Sequence, residues 1–346
     1  MAISYESSLL VFFVVCYLCM NVGLNYYNSW LLKPEPKGLG FPSALLYTMC
    51  HMIASLLGSS LLMRLKPELG EVSLAQFKGA TVKLSMLSFL FCVSIGANNL
   101  SLAHIGLSVN QVIKACTALP VLAFAYCLER KTYSLQKIAA ICAIVAGAVM
   151  SVPWGTPNAE AYGVFLCALS TLAIAAKTSL GGLLMKDAKK DGLTPMVLVW
   201  YESAFSVVYL LFGAALRGEP AELAAYAQDD PKHIYIATFA VLLGSLVAFA
   251  YNFVSFKTLQ LTSSVTHAVI GNIKLVAVVV IPALFIEHIT GVVSWVGFSI
   301  FLTAAAVYTY LGFQEKAAAA AAALTAPAAE GASKSSGPTE KTPLKA

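Results

Sequence analysis

The sequence predicts an all-α polytopic membrane protein whose ten transmembrane helices form an inverted repeat of five plus five. Three observations predict it. Of 346 residues, 59% are hydrophobic and only 11% charged, with a mean hydropathy of +0.77, whereas soluble domains carry about 25% charged residues. Apolar stretches long enough to cross about 30 Å of hydrocarbon at 1.5 Å per residue recur along most of the chain. Finally, the two halves share local sequence patterns.

The spans fall at approximately 8–32, 41–63, 82–103, 107–127, 134–153, 161–185, 194–216, 234–256, 262–286 and 291–312. The first follows only a few residues, with no Arg/Ser-rich amphipathic extension and no small-residue cleavage site, and reads as a retained helix. The second and seventh each begin near a proline, Pro42 and Pro195. A very short turn around His104–Gly106 joins the third to the fourth. The fourth is followed by Glu129-Arg130-Lys131-Thr132 and the ninth by Glu287-His288-Ile289-Thr290, each ahead of a last apolar helix. Their openings also agree, Ser108-Val109-Asn110-Gln111-Val112-Ile113 against Ser264-Val265-Thr266-His267-Ala268-Val269-Ile270. Five helices per half is an odd number, so equivalent helices cross in opposite directions, and such repeats place the substrate near the midplane between the halves.

Residues 1–315 are therefore expected to form one ten-helix domain with halves of about 8–153 and 161–312. Residues 316–346, an Ala run followed by Ser/Pro/Thr/Lys-rich sequence, read as a helix extension fading into a disordered cytosolic tail. Of the 22 lysines and arginines, three lie deep within spans, away from their ends. Placing the N-terminus in the cytosol puts four, Lys33, Lys37, Arg217 and Lys232, in outer loops and the remaining fifteen inside. That bias predicts two cytosolic termini.

The three buried cations are Lys114, Lys177 and Lys274. A cationic head at membrane depth costs roughly 2.5–3.5 kcal/mol on insertion scales and faces a partner or a water-filled cavity. Only one carboxylate, Glu202, lies at comparable depth, so the missing anion is expected to be a ligand. Asn110, Lys114 and Thr117 share a helix face by i, i+4, i+7 spacing. Ser263, His267, Gly271 and Lys274 form a similar stripe on the ninth span, and the repeat makes the two stripes symmetry mates across a cavity. Lys274 is about twelve residues from either helix end, some 18 Å, too far to snorkel.

Ser170 and Lys177 share a face of the sixth span, and Tyr251, Asn252 and Ser255 add polar groups on the eighth. Asn21, Asn25 and Asn28 repeat at helical spacing on the first, where an interhelical hydrogen-bond seam is the simpler reading for Asn21 and Asn25. Glu202 has two readings, partner of one lysine or protonatable coupling group. His267 reads as a satisfied polar residue, a proton relay or a ligand donor, and His51 as structural. The eight cysteines all fall in apolar segments, so Cys16-x-x-Cys19 reads as packing. No serine–histidine–acid set, phosphate-cradling glycine loop or acid pair of metal-ligand spacing occurs, which argues against an enzyme and calls for no cofactor. No basic run is interleaved with aromatics, which argues against nucleic acid.

Five segments carry a resemblance. They are Asn21-Val-Gly-Leu-Asn25-Tyr-Tyr-Asn28; Asn99-Leu-Ser101-Leu102 running into Val109-Asn-Gln-Val-Ile-Lys114; Ala-Ala-Lys177-Thr-Ser-Leu; Tyr251-Asn252-Phe-Val-Ser-Phe; and Thr262-Ser-Ser-Val-Thr-His267-Ala-Val-Ile-Gly-Asn-Ile-Lys274. In that order they resemble the drug/metabolite transporter superfamily, in its triose-phosphate translocator and nucleotide-sugar transporter branch. The resemblance implies that Lys114 and Lys274 clamp a phosphate, that Tyr251 helps bind substrate, and that Lys177 stands where the family has a basic residue. The chain departs from the sugar-phosphate pattern at Leu275, where an arginine is expected, and at Ser29, Ile95 and Asn98. Leucine offers none of arginine's bidentate fork to a terminal phosphate.

The expectation is an alternating-access antiporter exchanging a nucleotide sugar for a nucleoside monophosphate, in a Golgi or ER membrane rather than a plastid. Its candidate binding residues are Lys114, Lys274, Lys177, Tyr251, Asn252, Asn110 and His267. A sugar-phosphate/phosphate translocator, a proton-coupled exporter using Glu202 and His267, and a non-transporting scaffold are the alternatives.

Overall fold

The computed structural model describes residues 5–32, 36, 38–105, 110, 113–114, 116–151, 161–186, 193–229, 231–275 and 291–333. Among these, all regular structure is helical: α1 (Tyr5–Leu32), α2 (Ala44–Leu65), α3 (Leu74–His104), α4 (Ala118–Glu129), α5 (Leu135–Ser151), α6 (Ala161–Lys186), α7 (Pro195–Arg217), α8 (Glu219–Asp229), α9 (Pro231–Leu261), α10 (Ser264–Leu275) and α11 (Val292–Ser333). Seven of them are long and apolar enough to cross a membrane, namely α1, α2, α3, α6, α7, α9 and the Val292–Gly312 part of α11. Within α4 and α5, residues Ala118–Leu128 and Leu135–Met150 are shorter apolar segments. The outward faces are apolar: Phe12, Leu57, Phe89, Phe212 and Phe239 are each more than half exposed. Such a surface is costly in water and suited to lipid.

Local signals set the helix ends. Ser73 and Gln76 form a reciprocal capping box at the start of α3, with Gln76 N–H donating to Ser73 Oγ and Ser73 N–H to Gln76 Oε1. Thr194 Oγ1 accepts from Val197 N–H ahead of Pro195, the first residue of α7. Gly218, at φ 75°, closes α7 in the left-handed conformation. The chain then turns into α8, a polar helix outside the predicted spans. Its first residue, Glu219, is buried, and its carboxylate accepts the N–H groups of Leu45 and Leu46 at 2.9 and 3.0 Å. A helix in the second half of the chain thus supplies an anion to the positive end of α2.

The largest departure from expectation is the fourth span. A continuous helix over 107–127 is expected; the described residues 110, 113 and 114 are helical, but Cys116 and Thr117 form a turn before α4 begins at Ala118, with Thr117 N–H donating to Lys114 O and Leu119 N–H to Cys116 O. Pro120 is the physical reason. It has no N–H for Cys116 O, and its ring clashes with the carbonyl four residues back. Thr117 Oγ1 also donates to Lys114 O, an alternative to the helical bond. Lys114 is therefore placed beside a helix break. The ninth span begins as α10; residues 276–290, its expected second half, lie outside the described residues. At the other end, α11 continues as helix to Ser333.

The most extensive packing is between α5 and α11, α3 and α6, and α2 and α7, followed by α1 with α9, α9 with α2, and α3 with α7. The α5–α11 crossing requires glycine: a Cβ on Gly147 would lie 2.5 Å from Phe301 N and 2.7 Å from Gly297 O. Small residues let membrane helices approach this closely. Gly147→Val must force the two helices apart, at a cost of about 1–3 kcal/mol. The expected result is a lowered thermal unfolding midpoint in detergent, whereas Ala143→Val, on a half-buried site of the same helix, has a smaller effect.

Candidate functional site

The first polar stripe begins one turn earlier than its asparagines. Tyr17, Asn21 and Asn25 follow each other at four-residue intervals on α1, and that face meets α9 and α10. Tyr17 stacks on Tyr251 of α9, centroids 5.6 Å apart at 19°, and lies 4.7 Å from the His267 ring of α10. Asn21 Nδ2 donates to Tyr251 Oη at 2.8 Å, and Asn25 Nδ2 donates back to Asn21 Oδ1 at 2.9 Å. His267 Nε2 and Ser255 Oγ are 3.5 Å apart, and buried His267 Nδ1 has no hydrogen-bond partner among the described residues. Gly271, one turn beyond His267, leaves room here, since a Cβ on it would sit 3.2 Å from Tyr17 Oη.

Lys177 of α6 adjoins this aromatic–imidazole group, close enough for its charge to act on His267. Its ammonium is 2.6 Å from Glu202 Oε1 of α7. The Phe91 ring of α3 and the Phe256 ring of α9 flank it, 4.5 and 5.4 Å from Nζ to centroid. The Glu202 side chain is 4% exposed and that of Lys177 16%, so the acid lies behind the base. Of the two readings of Glu202, the structure has the lysine partner.

Asn110 belongs to another group. It is buried, and its Nδ2 donates to Ser101 Oγ at 2.9 Å and to Asn98 Oδ1 at 3.2 Å, both on α3. Asn98 is one of the departures from the sugar-phosphate pattern, and here it holds Asn110. Lys114, one helical turn on, is half-buried, with its charge acting on Cys167 of α6. Ser170, expected beside Lys177, instead donates to Ser94 O of α3 at 2.7 Å. Asn252 also points away from the Tyr251 group and donates to Ser55 Oγ of α2 at 3.2 Å. Lys274 lies in the last turn of α10, and its side chain is outside the described residues.

Tyr251 and His267 therefore come together with Tyr17, and Lys177 stands beside them, while Asn110 and Asn252 hold neighbouring helices. In the sequence the one signal for Tyr17 is its position four residues before Asn21. The set offers ring faces, hydroxyls, an imidazole and the Lys177 ammonium within a helical bundle. Among the described residues, no three His, Cys, Asp or Glu side chains gather as a metal site.

The model of the Triose-phosphate Transporter family matches residues 7–309. The chain belongs to that family. It is 29% identical to UDP-uronic acid transporter 1 of Arabidopsis thaliana over 298 residues, covering 85% of this chain and 93% of the relative. It is 30% identical over 301 residues to an Arabidopsis thaliana protein described as a "Probable sugar phosphate/phosphate translocator", covering 86% and 93%. A Golgi GDP-fucose transporter of Drosophila melanogaster is 26% identical over 313 residues, covering 86% and 89%. As a Triose-phosphate Transporter family member, the chain is a multi-pass membrane protein, and its relatives include both nucleotide-sugar and sugar-phosphate carriers.

Proposed function

We propose that this family member is an antiporter that takes a nucleotide sugar across an endomembrane in exchange for a nucleoside monophosphate. The observation that carries the reading is the presence of three lysines at membrane depth, one of them beside the Tyr17–Tyr251–His267 group, in a chain whose relatives include carriers of nucleotide sugars. Lys114 and Lys274 neutralise the phosphates, Lys177 adds a third cation, and Tyr251 and His267 orient sugar or base. Unpartnered His267 Nδ1 supports a ligand contact there, because a buried polar atom left unsatisfied costs about 1–3 kcal/mol. Asn110 and Asn252 shape the cavity by fixing the helices around it.

In this reading ten helices form two inverted halves that rock about the site, residues 1–315 constitute the transport domain, and residues 316–346 are a cytosolic tail. The packing scheme supports the repeat. Exchanging α1 with α6, α2 with α7, α3 with α9, α4 with α10 and α5 with α11 turns the α1–α9 contact into α6–α3 and α2–α9 into α7–α3, and maps α2–α7, α4–α10 and α5–α11 onto themselves. The positive-inside bias supports cytosolic termini. The Golgi relative supports a Golgi or ER membrane.

A second reading, exchange of a sugar phosphate for phosphate, is favoured by the 30% identical relative. Leu275 weighs against it, since it removes the forked donor suited to a terminal phosphate. A counterflow panel in liposomes separates them, with UDP- and GDP-sugars, triose phosphates and hexose phosphates tested as substrates. The proposal expects a nucleotide sugar to exchange fastest. A triose or hexose phosphate as fastest substrate establishes the second reading instead.

A further inference from the structure

The Lys177–Glu202 pair bears on how tightly the carrier holds its cargo. Lys177 is not a free cation awaiting an anion: its ammonium already has a carboxylate at 2.6 Å. The arrangement is lopsided. Glu202 sits on α7 with a side chain only 4% exposed, and no hydrogen-bond donor among the described residues engages its Oε1 apart from the paired ammonium. Lys177 lies in front at 16% exposure, between the Phe91 and Phe256 ring faces and close to His267 and hence to the Tyr17–Tyr251 stack. The ammonium is thus the more accessible member of the pair to an anion.

Resting on the reading of an anionic phosphorylated cargo, we propose that Glu202 is a built-in competitor for substrate at Lys177, weakening cargo binding so that cargo can leave. With Glu202 present, a phosphate gains only the difference between itself and a carboxylate as partner of the ammonium. With Glu202 gone, it gains the whole interaction, which is strong in a partly dehydrated site. The empty carrier, with Glu202 in place, is charge-compensated at Lys177. Glu202 acts through Lys177, so it is a positioning residue, and its signature is a KM and a maximal rate that fall together.

The test uses the full chain in liposomes with the substrate the wild type exchanges fastest in the panel above. Glu202→Gln keeps shape and removes the charge. The expected result is a KM lowered by about tenfold, the size of one charge-assisted contact, with a lower maximal rate because release slows. A folded Glu202→Gln protein whose KM is unchanged or raised overturns the proposal. Where that variant does not fold, the double variant Lys177→Gln/Glu202→Gln, which leaves neither charge stranded, decides. The competitor role predicts a KM several-fold above wild type, because the ammonium is lost to substrate; a purely structural pair predicts the wild-type KM. A wild type that exchanges no phosphorylated compound overturns the transport reading and this proposal together. Wild-type exchange with unaltered variant KM overturns this proposal alone.

Discussion

Lys274→Ala is expected to reduce counterflow exchange by about two orders of magnitude while leaving the amount of folded protein unchanged. A charge-assisted contact to a phosphate contributes about 1.5–3 kcal/mol, roughly 10- to 150-fold, and the low-dielectric site favours the upper part of that range. Lys274 is on α10 two turns after His267, whose ring touches Tyr17, so its helix is already part of the aromatic group. Removing a cation from membrane depth relieves the empty protein of a charge that is costly there, and stability is therefore expected to hold or rise. Exchange at the wild-type rate in Lys274→Ala removes the phosphate clamp from the account. Lys274→Arg, which keeps the charge, should retain part of the activity, and its residual rate reports how strictly a point charge is required.

Lys177→Met is expected to behave in the opposite way, losing stability before it loses transport. The substitution leaves Glu202 4% exposed with no cation beside it, and breaking a buried pair from one side costs about 3–5 kcal/mol. A fall in the thermal unfolding midpoint and in the yield of monodisperse protein should be visible in detergent. The double variant Lys177→Met/Glu202→Met should regain most of that loss, since well-packed apolar replacements of a buried ion pair are often neutral or stabilising. The adjacent Phe91 and Phe256 rings provide an apolar lining for the new side chains. An unfolding midpoint equal to wild type in the single variant shows that Glu202 finds another partner or a proton, and contradicts the tight pairing.

The contrast between these two lysines marks what the sequence made legible. Charge at membrane depth is a one-dimensional property, so Lys114, Lys177, Lys274 and Glu202 stood out against the apolar background without any contact information. Which of them meet is a property of helix packing. Lys177 and Glu202 lie 25 residues apart on antiparallel neighbours in sequence, and the choice between a paired and a titrating Glu202 could be made only once α6 and α7 were placed. Hydropathy also gave the spans that became α1, α2, α3, α6, α7 and α9. It did not give the break in the fourth, because a proline scores as an apolar residue while its missing N–H acts on the backbone; Pro120 was the available signal.

Other features were hidden for similar reasons. The polar helix α8 carries too little hydropathy to register, and its anchoring role depends on Glu219 reaching α2 across 174 residues. Ser170 shares a helical face with Lys177 by spacing, yet its hydroxyl is taken up by the Ser94 carbonyl of a close-packed neighbour. Asn252 follows Tyr251 directly, and adjacent residues on a helix face different ways, so one joins the aromatic stack and the other braces α2. Tyr17, four residues before Asn21, reads as an ordinary aromatic in the sequence, and only the rings of Tyr251 and His267 packed against it give it a place in the group.

Cargo is expected to cross only in exchange for another phosphorylated compound, because carrying lysines through membrane depth costs less with an anion bound beside them. The most direct measurement is trans-stimulation in liposomes containing the full chain. Uptake of the labelled panel substrate is followed into vesicles loaded with the matching nucleoside monophosphate, into empty vesicles, and into empty vesicles carrying a pH gradient. The account predicts rapid uptake into the loaded vesicles and background uptake into the other two. Uptake into unloaded vesicles driven by the pH gradient contradicts it and assigns the chain to proton-coupled transport.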